Sequence, residues 1–308
     1  MSDFVQHEFV ECSFDTSDSW VILSPIEQSI KRKIESVGTP LKDWDIQINY
    51  GIKTGFNDAF IISTEKREEI LNNCTSEEER IRTAELIRPI LRGRDIKRYG
   101  YNWAEQWLIA IFPSRHYAIE EYPAVKAHLL SYGKERLEQT GRKYVIEGKE
   151  VKARKKTNNK WFETQDSISY WEDFLQHKII WKRIGSILRF SFDNKGCLGL
   201  DSTCFAVGEH IEYLCCILNS SMGHYLLKDS PKTGTGDLLV SVQAIEPIRI
   251  PYNATYDKQL SLLLEKQITN PQNAIEKEIN DIVFTMYGLS PNERDYVMQY
   301  VKQSQQSL

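Results

Sequence analysis

Three short apolar runs crowd one stretch of the chain: HKIIWKRI (177–184), LRFSFD (188–193) and TCFAV (203–207). Gly185-Ser186 separates the first two, and Asp193-Asn194-Lys195-Gly196 opens the link to the third. Apolar, β-branched and aromatic residues bounded by turn formers read as strands. Links this short cannot hold a parallel crossover, which takes a dozen or more residues, so the strands are expected to run antiparallel.

Further elements are read around that centre. DIQINYG (45–51) alternates Ile46, Ile48 and Tyr50 as a strand does, Gly51 to Asp58 reads as a turn, and AFIIS (59–63) and WLIAIF (107–112) as further strands. SPIEQSIKRKIES (24–36) predicts a helix with Ser24 as N-cap, Pro25 at its first position and Glu27 completing a capping box. TEKREEILNNC and SEEERIRTAELI predict two more, each opened by a Thr or Ser cap. Residues 117–140 read as one long amphipathic helix with Pro123 in its first turns, and EYLCCILNSSMGHYLLK (212–228) as a helix pair broken near Asn219. Three closing helices are expected at 255–268, 271–287 and 290–303, capped by Thr255, Asn270 and Ser290. Residues 141–170 show no period. The expected class is α+β: a connector and helix at 1–38, a mixed or antiparallel sheet domain at 39–251, and a C-terminal helical region at 252–308.

A 308-residue chain that is 41% apolar and 27% charged can bury a sizeable core. No apolar run approaches the length of a membrane span. The acidic start, MSDFVQHEFVECSFD, lacks a basic-then-apolar leader, so the expected location is cytoplasmic. Cys12, Cys74, Cys197, Cys204, Cys215 and Cys216 include no CxxC pair, which favours reduced thiols over disulfides or zinc. A net charge of −4 argues against a polyanionic partner, but its distribution does not. Residues 142–160 hold eight Lys/Arg against two Glu, and RPILRGRDIKR (88–98) holds five against one Asp. Screening confines such fields to about 10 Å, so a local basic stripe works inside an acidic protein.

Several chemistries are missing. No GxGxxG follows a strand and no GxxxxGK[ST] occurs. In GIKTGFNDAFII (51–62) the Lys53-Thr54 pair lies between the glycines, so a turn outweighs a phosphate cradle. Asn-Pro-Pro-aromatic, the amino-methyltransferase signature, is absent. Glu147-Gly148-Lys149 resembles a nuclease Glu-x-Lys, but its nearest upstream Asp is Asp95 and it sits in no apolar strand. No catalytic residue is assigned.

What stands above background is KEVKARKKTNNKWFETQ (149–165). Lys and Arg neutralise phosphates, and Arg, Lys, Asn and Gln read guanine and adenine edges. Lys149, Lys152, Lys155, Lys156 and Lys160 are candidates for phosphate, with Arg154, Asn158 and Asn159 for base edges. Composition alone also suits a solvated loop. Trp161, Phe162, Tyr170 and Trp171 close by favour a loop held on a core. Arg92, Arg94 and Lys97, with Arg88 and Arg98, offer a second phosphate-facing edge or an ordinary surface. KTGTGD (232–237) offers Lys232, Thr233 and backbone amides to a phosphate, or is a flexible loop.

GIKTGFNDAFII, LIRPILRGRDIKRYGYNW (86–103) and KIIWKRIGSILRFSFDNKGCLGLDSTCFAV (178–207) follow one another in this order. With LNSSMGHYLLK, PIRIP and EKEINDIVFTMYGLSP, the set resembles the TaqI-like C-terminal specificity domain. That domain is the target-recognition portion of adenine-specific DNA methyltransferases and single-chain restriction–modification enzymes. The resemblance implies a double-stranded DNA partner and a methyltransferase domain or subunit that holds S-adenosylmethionine, and Mg²⁺ where cleavage occurs. No cofactor is implied in this chain. It also implies that Gly51 and Gly55 build a strand–turn–strand scaffold with Lys53, Thr54 and Asn57 at a tip facing DNA. Two alternatives stay open: an active component, either a nuclease using Glu147 and Lys149 or part of a methyltransferase completed by another chain, and a protein-interaction module using helices 212–228 and 255–287.

Overall fold

The structure is a computed structural model and describes residues 23–306; the acidic start, Cys12 included, lies outside the described residues. Helix α1 (Pro25–Val37) leads through β1 (Thr39–Pro40) to β2 (Ile46–Tyr50). A helical turn, α2 (Asn57–Phe60), precedes β3 (Ile61–Ser63), and α3 (Thr64–Asn72) and α4 (Glu77–Leu86) run into β4 (Ile87–Leu91) and β5 (Gln106–Ile109). Next come α5 (Pro123–Leu130), α6 (Lys134–Leu137), β6 (Lys143–Ile146) and β7 (Lys149–Lys152). Five strands follow: β8 (Lys178–Lys182), β9 (Ile184–Gly185), β10 (Phe190–Asp193), β11 (Leu198–Gly199) and β12 (Thr203–Gly208). Helices α7 (Ile211–Asn219) and α8 (Ser221–Leu226) lead to β13 (Leu238–Leu239), α9 (Val242–Ile245) and β14 (Arg249–Ile250). Helices α10 (Ala254–Thr269), α11 (Asn273–Met286) and α12 (Pro291–Gln306) close the described chain.

The class is α+β, as expected. The three apolar runs form three strands of an antiparallel sheet ordered β10-β8-β12-β2, with β8 and β12 central. Both of its faces are covered. Ile179, Trp181, Phe190, Cys204 and Ala206 point into a core shared with α7, α8 and the C-terminal helices. Ile180, Phe205 and Val207 point into a second core, with the sheet β11-β4-β5-β3 and α5. A strand buried on both faces reads as continuous apolar sequence rather than as an alternation, which is why KIIWK and TCFAV stood out. In the second sheet β11 runs parallel to β4 and the other pairs are antiparallel.

One polar pair interrupts the apolar centre. Lys178 and Asp193 face each other across the β8–β10 ladder, and both side chains are fully buried. The Asp193 carboxylate accepts from the Lys178 ammonium, the Tyr101 hydroxyl (2.7 Å) and the Lys195 and Cys197 amides (3.2 and 2.9 Å). Burial pushes its pKa up, but the Lys178 charge and these hydrogen bonds prevail and hold it below the ordinary value.

Local signals decided several boundaries. Ser24 and Glu27 form the capping box, and Ser63 and Ser76 cap α3 and α4. Asn253, not Thr255, caps α10, its side chain accepting from the Thr255 and Tyr256 amides. No side chain caps α11, which begins at Asn273 beyond the expected Asn270. AFIIS is half helical turn, and its strand pairs with β5 in the second sheet. The predicted helix 117–140 is broken: Pro123 starts α5 rather than kinking it, and Gly133 with φ +86° separates α5 from α6. The patternless 141–170 stretch contains the β6–β7 hairpin, whose tip residues Glu147 and Gly148 both have positive φ (49° and 77°).

Candidate nucleic-acid interface

The opening glycines of GIKTGFNDAFII serve close packing and a turn. A Cβ on Gly51 would stand 1.9 Å from the Leu200 carbonyl oxygen, and Gly55 has φ +79°. Gly51→Ala is therefore expected to lower stability by roughly 3 kcal/mol, the upper end for overpacking, read as a shift of the denaturation midpoint. Thr54 is fully buried; its hydroxyl donates to the Asn57 side chain (2.6 Å) and accepts from the Phe56 amide (3.1 Å). Thr54 and Asn57 thus fasten the turn to itself. Lys53 alone of the predicted three has an exposed side chain free of hydrogen bonds, while its amide donates to Asp166 (3.1 Å) and its carbonyl accepts from the Gln165 and Asp166 amides.

Arg154, a candidate base reader, is buried instead. Its guanidinium donates to the carbonyls of Leu137 (2.8 Å), Thr54 (2.9 Å), Glu163 (2.8 Å) and Trp161 (2.6 Å). Burial lowers its pKa to about 10, which still leaves it charged at neutral pH. Arg154 therefore ties the basic segment to the 54–57 turn, and composition alone does not tell such an arginine from a DNA-facing one. Asn159 has a similar task, its amide donating to the carbonyls of Thr164 (3.2 Å) and Gln165 (2.9 Å). Trp161 is half-buried, edge-on to core residue Phe162. What remains outward is Lys149, Lys152, Lys155, Lys156, Asn158 and Lys160. Across the hairpin Lys143 faces Lys152, a like-charge pairing that disfavours the isolated ladder and is eased by Glu150, 2.9 Å from Lys143.

The second predicted edge divides in the same way. Arg92 grips buried Asp95 through two nitrogens (3.0 and 2.9 Å), Arg98 is taken by Glu276 and the Asn219 carbonyl, and Arg88 lies near the Gly196 carbonyl. Arg94 is exposed, and Lys97 is half-buried with its ammonium 3.5 Å from the Arg94 carbonyl. Gly93 packs on the Lys182 side chain and donates to the Ser202 hydroxyl (3.2 Å). Lys182 and Arg183 were missed in the sequence because they sit at the end of an apolar strand; the signal was two adjacent cations just before a Gly-Ser turn. The KTGTGD stretch forms a hairpin, closed by the Thr233 amide donating to Asp237 (2.8 Å) and carried by β13, which pairs with β9. Lys232 is exposed at its base.

Successive contacts join these segments along one rim. Lys232 bridges to Leu238, the Val240 amide donates to the Arg183 carbonyl, and the Arg183 amide donates to Ser202. Gly93 donates to Ser202 beside Lys182, the Asp201 amide to Ile52 next to Lys53, and Arg154 to Thr54. Its cations are exposed apart from half-buried Arg183. Lys53, Arg94, Lys149, Lys152, Lys155, Lys156, Lys160, Lys182, Arg183 and Lys232 have no carboxylate within 4.0 Å among the described residues. Glu147, weighed as a nuclease residue, sits at the exposed hairpin tip, whereas Asp95 is buried against Arg92. Among the described residues no three His, Cys, Asp or Glu side chains group to hold a metal, and Cys74, Cys197, Cys204, Cys215 and Cys216 are free thiols.

Comparisons with known proteins bear on this arrangement. No curated protein sequence matches the chain. Among solved structures, the type IIL restriction-modification enzyme MmeI in complex with DNA aligns over 88% of this chain and 36% of its own, at 13% identity and a TM-score of 0.55. The type IIG restriction endonuclease BpuSI aligns over 86% of this chain and 33% of its own, at 12% identity and a TM-score of 0.45. The chain thus spans about a third of the length of each, and the likeness to MmeI speaks to the fold. The family model of the TaqI-like C-terminal specificity domain matches residues 88–246, which include Arg94, the 149–160 segment, Lys182, Arg183 and Lys232. That match takes in just over half of the sequence, and the chain belongs to the TaqI-like C-terminal specificity domain family.

Proposed function

We propose that this chain selects a specific sequence in double-stranded DNA for a restriction–modification or adenine-methyltransferase system, while methyl transfer, and cleavage where it occurs, belong to another domain or subunit. The observation that carries the proposal is the rim of unpaired lysines and arginines, drawn from separate segments onto the scaffold of a specificity-domain family. Side chains that pay no ion-pair penalty on release are suited to neutralise phosphates. Lys149, Lys152, Lys155, Lys156 and Lys160, with Lys53, Arg94 and Lys232, take that role, and Asn158 is the exposed amide left to meet a base edge.

The residues present do not fit the cofactors of the catalytic half. The sequence has no glycine-rich strand-to-helix turn for S-adenosylmethionine, and the described carboxylates do not cluster for Mg²⁺. Both groups are therefore assigned to the partner domain or subunit. No described helix is long and apolar enough to cross a membrane, and the proposed place of action is the cytoplasm.

Titration of a labelled duplex across a salt series tests the phosphate contacts. Log affinity is expected to fall linearly with log salt, at about 0.9 per phosphate contact, and Lys155→Ala/Lys156→Ala to flatten that slope by about 2 while weakening all duplexes alike. An unchanged slope would remove the 149–160 segment from the interface. Absence of binding even at low salt would leave a partner-dependent module.

A further inference from the structure

A groove of about 610 Å³ opens on the rim between Tyr50, Lys53, Asp166, Tyr170, Arg183 and Asp201. Arg183 lies in it with its guanidinium carbon 5.4 Å from the centre of the Tyr50 ring. Its Nε is buried with no acceptor, and its terminal nitrogens have no hydrogen-bond or ion-pair partner among the described residues. Arg67 and Arg82 also bury an unpartnered Nε, but Arg67 donates from a terminal nitrogen to Glu68 (2.7 Å) and Arg82 to the Glu121 carbonyl (3.2 Å), whereas Arg183 donates from neither. Asp201 is exposed on the same groove, its side chain equally without a partner, and it forms no ion pair with Arg183 although the Arg183 amide donates to the carbonyl of the next residue, Ser202 (2.9 Å). The remaining carboxylate, Asp166, is spoken for by the Lys53 amide. The groove floor is fixed, since the Tyr170 hydroxyl donates to the Tyr50 carbonyl (3.1 Å).

A planar fork of donors beside a separate acceptor matches one base pair. Guanine presents O6 and N7 as acceptors, which arginine takes bidentately, and cytosine presents the N4 amine, which a carboxylate accepts. Resting on proposed DNA recognition, we infer that this groove reads a G·C pair, with Arg183 on guanine and Asp201 on cytosine. Tyr50 lies beside the guanidinium, and the terminal nitrogens remain to form the fork.

The test is selection of bound duplexes from a random pool with wild type, Arg183→Lys, Arg183→Ala and Asp201→Asn, each checked by melting. Wild type is expected to fix a G·C pair at one position. Arg183→Lys keeps the charge but loses the fork, so preference at that position falls about 10- to 100-fold while the rest of the consensus stands. Arg183→Ala and Asp201→Asn are expected to relax the same position. A uniform loss at every position, with the salt slope reduced by about 1, makes Arg183 a phosphate contact and overturns the base-pair inference alone. A variant consensus identical to wild type, or a wild-type consensus without a fixed G·C pair, also overturns it alone. A wild-type pool with no enriched sequence overturns DNA selection itself.

Discussion

Asp193→Ala is expected to cost about 3–5 kcal/mol of stability, because it strands the Lys178 ammonium in a fully buried site. Lys178 would keep only the Phe174 carbonyl (2.6 Å) as acceptor, and the Tyr101 hydroxyl and two amides would lose theirs. Joint replacement of Lys178 and Asp193 by apolar residues is expected to cost much less than the single change, since it removes both charges. Chemical denaturation of the two variants against wild type checks this; equal losses would mean that volume, not charge, sets the cost. The pH dependence follows from the lowered Asp193 pKa. A carboxylate with a depressed folded-state pKa contributes stability that is fully present above the unfolded value of about 3.9 and is lost as pH falls through the folded one. The wild type is thus expected to lose this contribution below about pH 4, and Asp193→Asn to lack that part of the acid transition.

Arg154→Ala is expected to cost at least about 3 kcal/mol, since four carbonyls lose a charged donor at once. Lys155→Ala, one residue away and exposed, is expected to stay within about 0.5 kcal/mol of wild type. Thermal melts of the pair separate a clasp from a reading head. An Arg154→Ala variant that melts like wild type yet binds a changed DNA sequence would restore Arg154 to the interface.

Legibility followed the burial of each element. β8, β10 and β12 were plain because a sheet covered on both faces imposes apolar residues at nearly every position. The β6–β7 hairpin was hidden because it packs on little: Val145 is 78% exposed, so no face selects a pattern. Pro123 was placed inside a helix that it in fact begins, and Gly133 gave the break that periodicity overran. On the rim, residue type marked the segment but not the direction of each side chain. Lys155 and Lys156 point outward, whereas Arg154 turns inward because Leu137, Thr54, Trp161 and Glu163 present carbonyls there, a tertiary arrangement with no local signature. Arg183 was overlooked for the converse reason, being read as the tail of an apolar strand.

If the rim does what is proposed, this chain itself chooses a DNA sequence. Selection of bound duplexes from a random pool at moderate salt, with the wild-type protein alone, decides this. One enriched sequence is the predicted result. Retention without enrichment would reduce the rim to a non-specific phosphate surface, and no retention at low salt would contradict the account outright.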